Sequence, residues 1–294
     1  MKKIAAFLCV LCLFLSLSPF CLGETPPWIE VLVNIPNGDH EIPATICLPF
    51  REGQFPAVVL LHGTGSNRNE GYNAFGRLAH KFAETYGIAT IRIDFMGCGD
   101  SKADYFGYTF DSAVSDASIA AEVMQALDYI DSEHIGVLGW SQGGTDALLC
   151  ASRRPDLFKS VVTWAGTPDL NNDLIFTEDQ YGEAKENGFY RMSLFDGRQV
   201  KVSLQWCEDV LHTDVLGDFT KNYSGPVFAI QGTADMVVDP IWCEKIAEAS
   251  TNPASSFLYI DGMDHLFNVL TEDDFHSLFS AIDAAGEFFS KTLK

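Results

Sequence analysis

A chain in which buried-strand patterns alternate regularly with amphipathic helical patterns has few folds open to it. Here apolar runs such as "PAVVLLHG" and "HIGVLGWS" are each followed by residues with helical spacing, for example "YNAFGRLAHKFAETY". Strands that alternate with helices imply right-handed crossovers, and therefore a mostly parallel sheet with helices on both faces. Two β-like runs precede this pattern, and the "PNGD" between them, with its Asn37-Gly38, predicts a hairpin. The sequence therefore predicts an α/β fold with about eight strands in one sheet.

A predicted insertion interrupts the alternation between Thr167 and Ser224. This segment has no buried-strand run and is rich in Asp, Glu and Asn. Its stretches "GFYRMSLF" and "SLQWCEDV" nevertheless carry too many large apolar side chains for a bare loop. We interpret residues 167–224 as a cap inserted into one core domain of residues 24–166 and 225–294. The alternation then resumes with "GPVFAIQG" and ends in a predicted helix from Thr271 to about Lys291.

The first 23 residues have the pattern of a secretory signal peptide. Lys2-Lys3 is a basic start, residues 4–17 are apolar, and the segment ends in small residues up to Gly23, after which we predict cleavage. A retained membrane anchor is the alternative, but the apolar run is shorter than the ~20 residues that span a bilayer. The sequence therefore predicts a secreted or periplasmic protein with no stable membrane association after cleavage.

The strongly acidic composition limits the partners of this chain. The formal net charge of −21 becomes −23 when Lys2 and Lys3 are removed with the signal. A surface this acidic repels nucleic acid and other polyanions, so no nucleic-acid partner is expected.

Five cysteines remain after residue 23, and they are far apart. They show neither C-x-x-C nor a Cys/His spacing typical of metal sites, so no metal is predicted. We expect mostly buried, reduced thiols that act as small apolar residues, with a disulfide between two of them as the alternative. The five are Cys47, Cys98, Cys150, Cys207 and Cys243, and the alternative disulfide joins Cys207 to Cys243.

The stretch "GWSQG" places Ser141 between Gly139 and Gly143, where a buried strand gives way to a helical pattern. In a tight strand-turn-helix elbow the chain nearly folds back on itself, so side chains at both flanking positions would collide. The serine is then held in a strained conformation with its hydroxyl exposed above the sheet. The pattern therefore predicts that Ser141 is a nucleophile.

A serine hydroxyl needs a base to take its proton and a carboxylate to orient that base. Among seven histidines, His265 in "YIDGMDHLF" follows the last predicted strand, and Asp235 in "VFAIQGTADMVV" follows the preceding one. Asp239 is the second choice for the carboxylate, with Asp261 and Asp264 behind it. The order Ser141, Asp235, His265 is typical of one large group of hydrolases.

Attack on a carbonyl also requires two N–H donors for the oxyanion. Gln142, directly after the nucleophile, is predicted to supply one from its backbone, and Thr64 in "LLHGTGSN" is predicted to supply the other. We interpret His62 as a structural residue of this donor loop and not as the base.

The stretches "HGTGS", "GWSQGG", "GTADMVV" and "DGMDHLF" resemble the α/β-hydrolase superfamily, and within it the bacterial feruloyl/cinnamoyl esterases. The resemblance implies the α/β-hydrolase fold, the same oxyanion donors and a cap that shapes an aromatic acyl pocket. It also implies that Asp173 and Tyr190 bind the phenolic hydroxyl of the substrate. The sequence departs from the family at Gly97-Cys98-Gly99, where a Gly-His-Gly turn is common, and in its signal peptide.

Together these features favour a secreted serine carboxylesterase that hydrolyses hydroxycinnamoyl esters through an acyl-enzyme. Its expected partner is a small-molecule or oligosaccharide ester, no metal or organic cofactor is required, and the oligomeric state stays open. Two other enzymes are alternatives: a general short-chain acyl or acetyl (xylan) esterase, and a serine peptidase of prolyl-oligopeptidase type. A non-catalytic binding protein on a hydrolase scaffold is the alternative from a different class.

Overall fold

The computed structural model describes residues 26–170, 175–194 and 196–294. The predicted signal peptide, residues 1–23, lies outside the described residues, as does Asp173.

An eight-stranded sheet forms the centre of the molecule, in the order β1-β2-β4-β3-β5-β6-β9-β10. β1 and β2 pair antiparallel, β2 and β4 also pair antiparallel, and every other neighbouring pair in this sheet is parallel. The predicted fold class is therefore confirmed. The eight strands are β1 (Trp28–Asn37), β2 (His40–Pro49), β3 (Phe55–Leu61), β4 (Ala89–Ile93), β5 (Ile130–Trp140), β6 (Ser160–Trp164), β9 (Val227–Gly232) and β10 (Ser256–Ile260).

The predicted hairpin joins β1 to β2, with its turn one residue later than the Asn37-Gly38 signal. Asn37 is still in the ladder, opposite His40, so the turn consists of Gly38 and Asp39. Gly38 has a φ of 61°, which glycine adopts without steric cost at the first position of a tight hairpin.

Eight α-helices lie in the described part of the chain, and three of them differ from the prediction. The predicted helix "YNAFGRLAHKFAETY" is α-helical only from Ala74 to Lys81 and continues as a π-helical turn from Phe82 to Tyr86. The predicted helix "DSAVSDASIAAEVMQALDYI" ends at Gln125, and its Ile130 instead begins β5. The last helix begins at His276 and not at Thr271, because the Glu272 carboxylate stays outside it and accepts hydrogen bonds from the N–H and hydroxyl of Ser277. The helices are α1 (Ala74–Lys81), α2 (Phe110–Gln125), α3 (Gln142–Arg153), α4 (Glu178–Asn187), α5 (Leu204–His212), α6 (Val215–Asn222), α7 (Ile241–Glu248) and α8 (His276–Thr292).

Helices cover both faces of the sheet, as the alternating side chains of its strands require. Val59 and Leu61 of β3 belong to the core beneath α2, α3 and α7. Val58 and Leu60 point the other way, into a second core beneath α1 and α8. Within the described residues, none of the helices combines the length and apolar character needed to cross a bilayer.

Between β6 and β9, in the segment predicted as a cap, the described residues form three helices and a small hairpin. α4 leads into the antiparallel strands β7 (Phe189–Ser193) and β8 (Gln199–Ser203), and α5 and α6 follow. Tyr190, Trp206 and Phe219 of this segment are buried in the same core as α3. The domain boundaries at residues 167 and 224 stay a prediction.

All five cysteines after residue 23 are buried and unpaired, as expected. The alternative disulfide between Cys207 and Cys243 is not formed. Burial raises the pKa of Cys207 to about 11 and that of Cys243 to about 12, so both are neutral thiols.

Candidate active site

Ser141 forms the elbow between β5 and α3, with φ of 57° and ψ of −122°. A Cβ atom on Gly139 would lie 1.8 Å from the carbonyl oxygen of Gly143, and one on Gly143 would lie 2.2 Å from that of Leu61. Only glycine avoids these overlaps. The N–H of Ser141 donates to the carbonyl oxygen of Trp164 at 2.8 Å, which anchors the strained residue to β6. A non-glycine residue in such a conformation costs about 1–3 kcal/mol and is typical of functional sites.

His265 lies on the loop after β10, with its ring beside the serine. Its Nε2 is 3.1 Å from Ser141 Oγ, a hydrogen-bond distance. The backbone of the same residue is held by Trp140, whose Nε1 donates to the carbonyl oxygen of His265 at 3.1 Å. β5 therefore supplies the serine and also fixes the loop that carries the imidazole.

Asp235 follows β9, and its Oδ2 is 2.9 Å from His265 Nδ1. Its other oxygen, Oδ1, accepts hydrogen bonds from the N–H groups of Val237 (2.8 Å) and Val238 (2.9 Å). Gln231 Nε2 donates to Oδ2 at 3.1 Å. Burial acts to raise the pKa of Asp235, but the hydrogen bonds from His265, Val238 and Val237 and the charge of His265 outweigh burial and lower it. The carboxylate is thus built to stay ionised beside the imidazole.

The other three carboxylates considered for this role face elsewhere. Asp239 accepts from the N–H of Ile241, at the start of α7. Asp261 accepts from the hydroxyl of Thr233. Asp264 accepts from two backbone N–H groups of its own loop. Among the described residues, the structure therefore brings Asp235 alone of the four to the imidazole.

The two predicted oxyanion donors lie next to each other. Gln142 is the first residue of α3, so its N–H has no acceptor within the helix. Thr64 Oγ1 donates to Gln142 Oε1 at 2.6 Å, which ties the donor loop to the elbow. His62 is buried, with Nδ1 2.8 Å from the carbonyl oxygen of Gly63 and Nε2 accepting from the N–H of Phe95. Its ring faces backbone atoms, as a structural residue of the loop would.

Glu70 is a residue of this site that the sequence reasoning missed. One carboxylate oxygen accepts from the N–H of Gly63 at 2.5 Å, and the other from the hydroxyl of Ser66 at 2.7 Å. Glu70 therefore braces the loop on either side of Thr64. The sequence signal was only an acidic residue within a segment rich in Gly and Asn.

Tyr190 lies in β7 and is fully buried. Its hydroxyl has no hydrogen-bond partner among the described residues. The ring centroid is 6.3 Å from that of Phe176, which in turn lies 5.8 Å from Trp206. The predicted cap thus contains an aromatic cluster with an unpaired polar group, while Asp173 falls outside the described residues.

The hairpin of β7 and β8, in the segment predicted as a cap, contacts the loop that carries Thr64 and the turn at Gly97. Leu194, directly after β7, packs so closely on Gly65 that a Cβ atom there would lie 2.5 Å from its Cδ2. Arg198 Nη1 donates to the carbonyl oxygen of Gly97 at 3.0 Å. Both Gly97 and Gly99 have positive φ, so the turn keeps its glycines and differs from the family pattern only at Cys98.

The described residues contain no group of three or more His, Cys, Asp or Glu side chains arranged to hold a metal ion. The arrangement that is present can transfer a proton from a hydroxyl to an imidazole next to two N–H donors. Such a group is suited to nucleophilic attack on a carbonyl.

Comparison with known proteins agrees with the fold. A family model described as "alpha/beta hydrolase fold" matches residues 56–205. The chain is 31% identical over 153 residues to 2,6-dihydropseudooxynicotine hydrolase of Paenarthrobacter nicotinovorans, covering 48% of this chain and 38% of that protein. It is 32% identical over 121 residues to a pimeloyl-[acyl-carrier protein] methyl ester esterase of Neisseria meningitidis, covering 41% and 40%. The matched region spans about two fifths of the length of these curated relatives.

Solved structures match over most of the chain. Est1E from Butyrivibrio proteoclasticus with bound ferulic acid has a TM-score of 0.72 at 20% identity, covering 88% of this chain and 98% of that one. A hypothetical protein from Pseudomonas aeruginosa has a TM-score of 0.74 at 17% identity, covering 93% and 96%. At such identities the likeness shows the fold alone.

Proposed function

Since the chain belongs to the α/β-hydrolase fold family, we propose that it is a serine carboxylesterase. The observation that carries the proposal is the hydrogen-bonded row of Ser141, His265 and Asp235, with distances of 3.1 and 2.9 Å. The name of the Neisseria relative describes ester hydrolysis, which supports the same reaction class.

In the proposed acylation step, Ser141 Oγ attacks the ester carbonyl while its proton passes to His265 Nε2. The carbonyl oxygen becomes an oxyanion and receives hydrogen bonds from the N–H groups of Thr64 and Gln142. Each such donor contributes ~3–4 kcal/mol to the stability of the transition state. The protonated His265 then donates its proton to the departing alcohol, which leaves an acyl group on the serine.

In the proposed deacylation step, water takes the place of the alcohol. His265 removes a proton from the water, the resulting hydroxide attacks the acyl carbonyl, and the proton returns to Ser141 as the acid leaves. Asp235 holds Nδ1 in its protonated form and stabilises the imidazolium during both steps. The reaction as proposed needs no metal or organic cofactor.

We further propose a hydroxycinnamoyl ester as the substrate. The support is the sequence resemblance to feruloyl/cinnamoyl esterases together with the aromatic cluster of Phe176, Tyr190 and Trp206. A buried hydroxyl without a partner carries a free-energy cost that a ligand can remove. In this proposal Tyr190 and Asp173 hold the phenolic hydroxyl of the acyl group.

The reaction class is tested by hydrolysis of p-nitrophenyl acetate with the wild-type protein and with Ser141→Ala. We expect activity in the wild type and its loss in the variant. Ser290→Ala is the matched control and should keep full activity, because the Ser290 hydroxyl donates to the carbonyl oxygen of Gly286 within its own helix, α8. Equal activity in the wild type and Ser141→Ala would remove the serine from the mechanism, and an inert wild type would favour a binding protein.

The substrate class is tested with two esters that differ by one hydroxyl. Tyr190→Phe should lower kcat/KM about tenfold for methyl p-coumarate and leave methyl cinnamate unchanged, because only the first can bond to the tyrosine. A wild-type preference for α-naphthyl acetate or p-nitrophenyl butyrate over methyl ferulate would instead favour the general short-chain esterase.

Export is the last part of the proposal. The basic start, apolar run and small residues of segment 1–23 support it. Mass spectrometry of the protein recovered outside the cytoplasm should give a chain that begins at Glu24. A protein that remains in the cytoplasm with its full N-terminus would contradict export.

A further inference from the structure

Four polar side chains form a continuous hydrogen-bonded chain beneath the oxyanion donors. Thr64 Oγ1 donates to Gln142 Oε1 (2.6 Å), Gln142 Nε2 donates to the Tyr108 hydroxyl (2.9 Å), and that hydroxyl donates to Asp146 Oδ2 (2.7 Å). The chain joins the loop after β3, the first turns of α3 and the loop before α2. It therefore connects the two donor residues to a carboxyl group that the proposed reaction does not use.

Asp146 lowers the stability of the fold at this position. It is fully buried, and its Oδ1 has no hydrogen-bond partner among the described residues. Burial raises its pKa to about 7, although the hydrogen bond from Tyr108 and the charge of Arg153 oppose the rise. A buried carboxyl group with one hydrogen bond lowers stability, so a purely structural role is a poor explanation for it.

In its ionised form, Asp146 sets the direction of every hydrogen bond in the chain. An ionised carboxylate only accepts, so the single proton of the Tyr108 hydroxyl must point to Asp146. The tyrosine oxygen is then an acceptor, which turns the NH₂ group of Gln142 toward it and the amide oxygen toward Thr64. The Thr64 hydroxyl must consequently donate to Gln142. A neutral group in place of the carboxylate would permit both directions.

We propose that Asp146 is a positioning residue that acts through Tyr108 and the Gln142 side chain to hold Thr64 and Gln142 in register as oxyanion donors. The inference rests on the proposed function. Oxyanion donors act within about 2.7–3.1 Å of the developing charge, so a small displacement of the donor loop lowers the rate of the chemical step. Substrate binding should depend on it much less.

The first test compares two neighbouring tyrosines. Tyr105 is as buried as Tyr108, and their rings stack with centroids 5.5 Å apart. Within the described residues, the two tyrosines are joined by a backbone hydrogen bond, but the Tyr105 side chain makes no hydrogen bond to the four side chains. At about pH 8, above the pKa of Asp146 of about 7, Tyr108→Phe should lower kcat about tenfold with little change in KM. Tyr105→Phe should stay within about twofold of the wild type.

The second test separates positioning from a loss of folding. Asp146→Asn keeps the shape but removes the charge, so at the same pH its melting temperature should rise above the wild-type value. Its kcat should nevertheless fall about three- to tenfold, because an amide no longer enforces the direction of the chain. A residue with only a structural role would not give higher stability together with slower turnover.

The third test is a double-mutant cycle between Tyr108→Phe and Thr64→Val, which removes the hydroxyl but keeps the backbone N–H. Because both changes interrupt one chain, the double variant should be about as slow as either single variant. Three results would each overturn the positioning role. The first is that the two single-variant losses in kcat multiply in the double variant. The others are an unchanged kcat in Tyr108→Phe and a fall in both stability and kcat in Asp146→Asn. An inert wild type would refute the proposed function itself, whereas an active wild type with unaffected variants would refute the positioning role alone.

Discussion

Replacing Asp235 with asparagine should leave the fold intact and lower kcat about 10⁴-fold. The hydrogen bonds around the carboxylate explain why so small a change has so large an effect. Oδ1 accepts from two backbone N–H groups, at 2.8 and 2.9 Å, so an NH₂ group cannot occupy that position. The amide oxygen of the asparagine must take it, which places the NH₂ group at Oδ2, opposite His265 Nδ1.

This forced orientation selects the wrong tautomer of the imidazole. An NH₂ group donates, so His265 Nδ1 must accept and the ring proton moves to Nε2. That nitrogen then cannot take the proton of Ser141, 3.1 Å away. The same substitution in the triad of serine proteases lowers kcat about 10⁴-fold, which corresponds to about 5.5 kcal/mol in the barrier.

The assay is kcat and KM for p-nitrophenyl acetate, together with the melting temperature of each variant. Asp239→Asn and Asp261→Asn are matched controls, since both residues are nearby carboxylates that face other partners. Each should stay within about twofold of the wild type. The reasoning is refuted if Asp235→Asn keeps more than a tenth of the wild-type kcat, or if a control loses as much as Asp235→Asn.

Three further substitutions follow from the same geometry. Burial raises the pKa of Asp146 to about 7, against about 3.9 in an unfolded chain, so its contribution to stability is full below about pH 4 and declines as pH rises toward 7. Asp146→Asn removes that decline, so the melting temperature of the variant minus that of the wild type should increase from about pH 4 to about pH 8. A difference in melting temperature that is constant with pH would contradict this. Gly139→Ala should cost more than ~3 kcal/mol in chemical denaturation, because its Cβ would overlap the Gly143 backbone at 1.8 Å. Its control, Gly182→Ala in α4, meets nothing within 4 Å and should gain up to ~1 kcal/mol. Glu70→Ala should lower kcat about tenfold by releasing Gly63, whereas Glu70→Gln should keep most activity because an amide can still accept from Gly63; equal losses would contradict the bracing role.

Much of the fold could be predicted because its signals are local. A buried strand or an amphipathic helix shows its periodicity within one segment, and right-handed crossovers then leave few arrangements of the sheet. The positions of Ser141, Asp235 and His265 followed from the same argument, since each lies in the turn or loop that follows a strand. Parallel strands bring their carboxyl ends to one edge, and the structure places these three side chains together there.

The parts that were missed depend on contacts between distant segments. Tyr108 and Asp146 are 38 positions apart in the sequence, and no spacing rule connects them. Glu70 braces a loop through the N–H of Gly63 and the hydroxyl of Ser66, and a backbone N–H leaves no mark on residue type. The start of α8 was misplaced because Glu272 fits a helical pattern, whereas its carboxylate caps the helix from outside. In each case a side chain satisfies a backbone or buried polar group that the sequence alone does not reveal.

The contact between Leu194 and Gly65 couples the end of β7 to the loop that carries Thr64. Gly65 has a φ of 63°, and Leu194 occupies the space that a side chain at position 65 would need. A library that varies residue 194 therefore also changes the packing on the loop, and a residue other than glycine at position 65 would need a smaller neighbour at position 194. Positions 65 and 194 should therefore be varied together and not one at a time.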